Sequence, residues 1–293
     1  MKRFINGMLI ATVFCAALTT ATGFKWPWQK DSGPAKKEVN IGYVNWAEGV
    51  AVAHLVKSIL EDDMNYKVNL TMADVAPMFT AVASGSQDVF VETWLPVTHK
   101  SYMKKYGDDI QKVGCWYDSA RIGLVVPQYV KCDSIAEMNQ YKAQFDGEII
   151  GIDPGAGIMK TTEKAIPAYD LDYKLVSSSG PAMTASLKRA VDKKEWIAVT
   201  GWAPHWKFAR WDLKFLDDPE KVYGDVETVQ AVARLGIEKD LPEVYALFKA
   251  MKFNDQQIGT LMNKLRNNKE NKLEAARQWK EEHMDLVNSW IGG

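Results

Sequence analysis

The sequence predicts an α/β protein of two lobes, joined by a two-stranded hinge and separated by a ligand cleft. Three observations carry this. Strand-like and helix-like segments alternate at intervals that suit parallel sheets. The alternation begins afresh at Gly147, as a second unit of the same layout would. Two extended segments, 122–126 and 226–234, flank that second unit and have the character of hinge strands. At 293 residues the chain suits two compact lobes of ordinary size.

In the first lobe, 39–44 alternates as a strand and 48–62 follows with Val52, Leu55, Val56 and Ile59 at helical spacing. A strand at 67–71, a short helix over 77–83 and a strand at 88–92 complete it. The second unit runs strand 147–152, helix 158–169, strand 173–176, helix 181–191 with proline in its first turn, and strand 197–200. After the second hinge strand come helices over 242–251, 255–265 and 273–290, the last bearing a core stripe of Ala276, Trp279, His283, Leu286 and Trp290. The predicted first lobe is therefore 39–126 plus 228–293, and the second 127–227.

The N-terminus has a basic start, an apolar run from Met8 to Leu18 and small residues to Gly23. These are the parts of a secretory signal peptide over 1–23, too short to span a bilayer, with a linker over 24–38. A buried N-terminal helix is the alternative. Cys15 invites lipid anchoring, but the bulky Phe14 before it argues for cleavage and export to the periplasm. Trp26 and Trp28, in the linker, read as bystanders. Two cysteines then remain, Cys115 and Cys132, free to pair or not in an oxidising compartment. Their spacing fits no zinc site.

Composition is ordinary, 47% hydrophobic and 25% charged, and the net charge of -1 gives no footprint for nucleic acid. The outlier is tryptophan, with 11. Three indoles fall where a strand gives way to a helix: Trp46, Trp94 and Trp202. In open α/β sheets ligands gather at carboxyl ends of strands. Each indole alone would be ordinary packing. Three together suggest an aromatic box for a cation. Alternation is taken to turn Glu92 away, and Glu48 reads as a helix N-terminal charge. The lack of a carboxylate paired with these indoles then favours a quaternary ammonium over an amino acid or polyamine.

A fourth strand end carries Gly155-Ala156-Gly157. It invites a phosphate-loop reading, but Ile158 and Met159 separate the glycine from Lys160 and Thr161, where a Walker motif needs them contiguous. Free N–H groups at a helix start can instead receive a small anion such as a carboxylate. A plain strand-to-helix turn is the simpler alternative. His99, five residues beyond Trp94, is placed to donate to the same carboxylate, or is structural. His205 and Trp206 read as packing, and His54 and His283 as structural. No nucleophile with a base, metal cluster or carboxylate pair points to catalysis. The sequence reads as a binding protein without a cofactor, not an enzyme.

The segments 41–46, 93–100, 151–159 and 200–206 resemble, in order, the four ligand motifs of glycine betaine-binding proteins of ABC transporters. The likeness runs through nearly all of the mature chain. It implies a type II periplasmic-binding-protein fold whose jaws close on ligand. It also implies a trimethylammonium prism of Trp46, Trp94 and Trp202, and a carboxylate held by Gly157, Ile158 and His99. Partners implied are a membrane permease and, through it, an ATPase; a monomer is expected. Asn45, Ala47 and Ala203 stand beside the walls and would tune the choice of ligand. Choline, carnitine, proline betaine and dimethylsulfoniopropionate are the close alternatives, and a secreted phosphate-handling enzyme the distant one.

Overall fold

A computed structural model describes residues 37–292. The expected signal peptide over 1–23, and Trp26 and Trp28, lie outside these residues. Strands β1 (Lys37–Tyr43), β2 (Tyr66–Met72) and β3 (Val89–Leu95) form the parallel part of a first sheet, with β1 between the other two. Lys37 and Glu38, expected in the linker, already pair with Tyr66 and Lys67. Helix α1 (Ala47–Asp62) buries Val52, Leu55, Val56 and Ile59, the stripe its 3.6-residue period places on one face. Helix α2 (Val75–Ala83) makes the second crossover, and α3 (Lys100–Tyr106) follows β3.

The chain then enters β4 (Ile110–Pro127), a strand of 18 residues that belongs to two sheets. From Ile110 to Ala120 it pairs antiparallel with β9 (Glu227–Arg234), which in turn pairs with β3. From Arg121 it pairs instead with β7 (Ala198–Ala203) and, at its end, with β8 (Leu213–Phe215). Residues 122–126, predicted within the first lobe, are thus hydrogen-bonded into the second sheet, and the change of sheet falls between Ala120 and Arg121. Register shifts between Lys112 and Gly114, Cys115 and Tyr117, and Tyr117 and Ala120 lead up to that point. Such bulges bend and twist a strand, which lets one strand serve two sheets. They also disguise its first half, so that only the apolar second half is legible as strand.

In the second sheet β5 (Glu148–Ile150) lies parallel between β6 (Lys174–Val176) and β7. A 3-10 helix (Ile135–Tyr141), α4 (Gly157–Ala168), α5 (Gly180–Lys193) and the short α6 (Lys207–Arg210) complete that half. The strand order across the molecule is β2-β1-β3-β9-β4-β7-β5-β6. Ser179 caps α5 by accepting from Ala182 N, with Pro181 in the first turn.

Helices α7 (Ile237–Asp240), α8 (Pro242–Ala250), α9 (Asp255–Asn267), α10 (Lys272–Glu282) and α11 (Met284–Ile291) return to the first half. Helix α8 lies so close to β4 that a Cβ at Gly114 would fall 2.1 Å from the Phe248 carbonyl oxygen. The single helix expected over 273–290 is two, broken at His283, whose backbone (φ -129, ψ 33) is not helical. The break lets Trp279 and Trp290 both reach Phe253, with ring centroids 6.1 and 5.1 Å away. Helix α10 is tied to α1 by Arg277, which donates to both carboxylate oxygens of Asp62 at 2.9 Å. Cys115 and Cys132 are not bonded to each other. Burial raises both thiols, Cys132 to about 11, so neither is a reactive thiolate.

Candidate ligand-binding site

The two sheets present their strand ends to one another. Trp46 stands between β1 and α1 with extended backbone, Trp94 lies one residue before the end of β3, and Trp202 lies near the end of β7. Between them is a small cavity. It is lined by the three indoles, by Ala156, Gly157 and Ile158 at the start of α4, by Ile122 and Ile152, and by Glu48 and Thr98. The indoles are only 5, 2 and 4% exposed, so they are withdrawn from solvent while bordering the cavity.

Helix α4 supplies the polar end. The first amides of any α-helix have no intrahelical acceptor, and here those of Gly157 and Ile158 begin the helix at the cavity. Gly157 is a point of close approach between the two halves: a Cβ there would fall 2.1 Å from the Thr98 carbonyl oxygen. Thr98 is itself fixed by Glu227, at the first residue of β9. The Glu227 carboxylate accepts from Val97 N at 2.7 Å and Thr98 N at 2.9 Å, and from the Thr98 hydroxyl.

His99 is fully buried but is not among the lining residues; it stacks against Trp46, with centroids 5.9 Å apart at 14°. Its Nδ1 accepts from Trp94 N at 2.9 Å. Burial, with a smaller effect from Lys160, lowers its pKa to about 3, so the ring is neutral at physiological pH. A neutral imidazole accepting at Nδ1 carries its proton on Nε2. That Nε2–H is buried and has no partner. His205 packs edge-on against Trp202, with centroids 4.9 Å apart, and accepts from Lys207 N.

Contrary to the expectation from sequence that no carboxylate pairs with these indoles, two of them have carboxylate partners. Trp202 Nε1 donates to Glu48 Oε2 at 2.9 Å and Trp46 Nε1 to Asp153 Oδ2 at 3.3 Å, each across the cleft. The partners lie 154 and 107 residues away in the chain, so neighbouring sequence could not disclose them. Glu92 does not turn away either. It is two residues from Trp94, the spacing at which pleated side chains share a face, and it is fully buried. It occupies space that only Gly49 leaves open, since a Cβ there would fall 1.4 Å from Glu92 Oε2. Burial raises Glu48 to about 7 and Glu92 well above the usual carboxyl range. Burial also lowers Lys207 to about 7; its Nζ lies 4.3 Å from the centre of the Trp202 ring.

Lys160, the lysine of the rejected phosphate-loop reading, is turned onto Tyr102, its Nζ 4.3 Å from the ring centre. Tyr102 in turn donates to the Gly155 carbonyl at 2.9 Å. Among the described residues no group of three or more His, Cys, Asp or Glu is placed to hold a metal ion, and no helix is long and apolar enough to cross a membrane.

Residues 37–282 match the family model described as the substrate binding domain of ABC-type glycine betaine transport systems. The chain belongs to that family. Its fold is that of lactococcal OpuAC, solved closed and complexed with glycine betaine: TM-score 0.82 and 35% identity over 87% of this chain and all of that one. A glycine betaine/L-proline-binding protein (ProX) from Borrelia burgdorferi gives 0.84 and 36%, over 87% of this chain and 97% of that one. The glycine betaine/carnitine transport binding protein GbuC of Listeria monocytogenes is 40% identical over 153 residues, 51% of each chain. The match thus spans about half the length of that curated relative. These relatives are binding components of transport systems and not enzymes, and the type II periplasmic-binding-protein architecture of the family is the one seen here.

Proposed function

We propose that this chain is the extracytoplasmic substrate-binding component of an ABC importer and that it captures glycine betaine, or a close analogue, for osmoprotectant uptake. The observation that carries the reading is a small cavity with three buried indoles on one side and the open amides of α4 on the other. A quaternary ammonium has no N–H to donate and gains most from aromatic faces, tryptophan being the strongest. Trp46, Trp94 and Trp202 receive the methyl groups. Gly157 N and Ile158 N receive the carboxylate, with His99 Nε2–H as a third donor once the ring is approached by ligand. The lactococcal relative crystallised with glycine betaine supports this assignment.

The two lobes, divided at the change of sheet in β4 and at the start of β9, contribute different walls. Ligand therefore favours the closed form through its differential affinity for it. The closed form docks on a permease, whose ATPase drives import. The chain acts as a monomer and reaches the periplasm through the signal peptide over 1–23.

Competition calorimetry tests the reading across glycine betaine, proline betaine, carnitine, choline and dimethylsulfoniopropionate, with ATP and phosphate as negative ligands. Glycine betaine or one of its analogues is expected to bind and the phosphates are not. Binding of the phosphates alone would overturn the assignment. A second reading, a preference for carnitine, is favoured by the name of the Listeria relative, and the same titration ranks it.

A further inference from the structure

Glu48 is the one ionisable side chain among the residues lining the cavity. One of its oxygens is engaged by the Trp202 indole; the other, Oε1, is buried and has no partner. Behind it lies Glu92, fully buried, with no donor reaching either oxygen. Lys207 is fully buried too, its ammonium against the Trp202 ring and without an acceptor. Nothing in the betaine-binding reading requires these three groups.

We propose that Glu48, Glu92 and Lys207 form a buried charge-setting cluster that decides whether the box prefers zwitterionic or net-cationic quaternary amines. The proposal rests on the betaine-binding reading above. Two adjoining carboxyls away from water cannot both ionise cheaply, so they share protons, and a single buried ammonium biases which one loses its proton. Charge on Glu48 raises Glu92, and a hydrogen bond from Glu92 lowers Glu48, so the pair is arranged for Glu92 to hold the shared proton and donate it to an ionised Glu48. Lys207 also favours the ionised form of Glu48.

The two ligand classes feel this differently. A zwitterion brings its own counter-charge, which is seated on the far side at α4. A choline-type cation brings an unneutralised charge into a cavity from which water is excluded, and requires an anionic wall. Ionisation of Glu48 therefore raises the affinity for the net cation relative to the zwitterion. The groups facing Glu48 are Glu92 from β3, Lys207 from α6 and the indole N–H of Trp202 from β7. Beyond them lie Asp153 on the Trp46 indole, His99 stacked on the Trp46 ring, and His205 beside Trp202, itself influenced by Lys207 and Arg266. Both histidines are held neutral by burial, so Glu48 and Lys207 are the groups of the cluster poised near 7.

The test is calorimetric affinity for choline and for glycine betaine between about pH 5.5 and 8.5, the span around a site poised near 7. In the wild type the choline-to-betaine affinity ratio is expected to rise about tenfold across that span, the factor for one unit of coupling. In Glu48→Gln, which keeps an acceptor for Trp202, the rise should shrink to the part that Lys207 supplies. Glu92→Leu and Lys207→Met should each move the rise to higher pH, and Glu92→Gln, which restores a donor, should move it back. A pH-independent wild-type ratio with both ligands bound, or an unchanged rise in Glu48→Gln, overturns the cluster's role. A wild type that binds neither ligand at any pH overturns the betaine-binding reading itself.

Discussion

Trp202→Ala is the perturbation that most directly weighs one wall of the box. The indole is 4% exposed, borders the cavity and donates to Glu48 on the opposite half of the molecule. Truncation removes a desolvated cation–π face, about 2 kcal/mol or roughly thirtyfold in affinity. It also removes a hydrogen bond that closes the cleft, and leaves Glu48 Oε2 buried without a donor, about 1–3 kcal/mol of penalty. The second effect falls on the closed form, so the total loss of betaine affinity should lie between about thirtyfold, from the lost face alone, and a few thousandfold, if the whole penalty is felt on closure. The assay is isothermal titration of glycine betaine into wild type, Trp202→Ala and Trp202→Phe, each first checked for cooperative unfolding because a buried Trp→Ala change costs about 3–5 kcal/mol of stability. Trp202→Phe keeps a face but no N–H and should fall between the two. Trp206→Ala, which borders only the outer cleft, is the control and should change affinity by less than about threefold. A folded Trp202→Ala protein that binds betaine as the wild type does would refute the reasoning.

Gly157→Ala should lower betaine affinity by at least about tenfold while leaving the fold intact, because its Cβ must displace the Thr98 carbonyl from the closed arrangement; titration and thermal unfolding measured together separate the two effects. His99→Ala should weaken glycine betaine by about 1–3 kcal/mol, the worth of a hydrogen bond to a charged group, and choline much less; equal losses for both ligands would remove His99 from the carboxylate site. Glu92→Gln should change stability with pH in a definite direction. The folded Glu92 is raised above its unfolded value of 4.5, so its contribution is fully present below about 4.5 and is lost as pH rises towards its folded value. The variant should therefore unfold like the wild type near pH 4 and be more heat-resistant near pH 8. Wild type and variant keeping the same difference in melting temperature at both pH values would count against a buried, protonated Glu92.

Much of the architecture is legible because its causes are local. The periodicity of Val52, Leu55, Val56 and Ile59 makes α1, and Ser179-Gly180-Pro181 starts α5 where the sequence says it should. What escapes is what depends on partners distant in the chain. The first half of β4 is held by β9 through repeated bulges, and its strand period is spoiled by them. The break at His283 answers to Phe253, thirty residues earlier. At the site, the indoles and the Gly157 turn are marked by their positions after strands. Glu48, Glu92, Asp153 and Lys207 are not, since a carboxylate in a first helical turn, or a lysine after a tryptophan, has an ordinary surface meaning until the fold buries it. The cue that was available is Gly49, next to Glu48, in a helix otherwise free of glycine; it is there to admit Glu92.

A crystal structure of the protein grown with glycine betaine tests the central claim most directly. The account predicts the quaternary nitrogen within about 6 Å of the ring centres of Trp46, Trp94 and Trp202, with the carboxylate on the amides of Gly157 and Ile158. A ligand lodged in the outer cleft beside Trp206 and Trp211, or one whose carboxylate points away from α4, would contradict it.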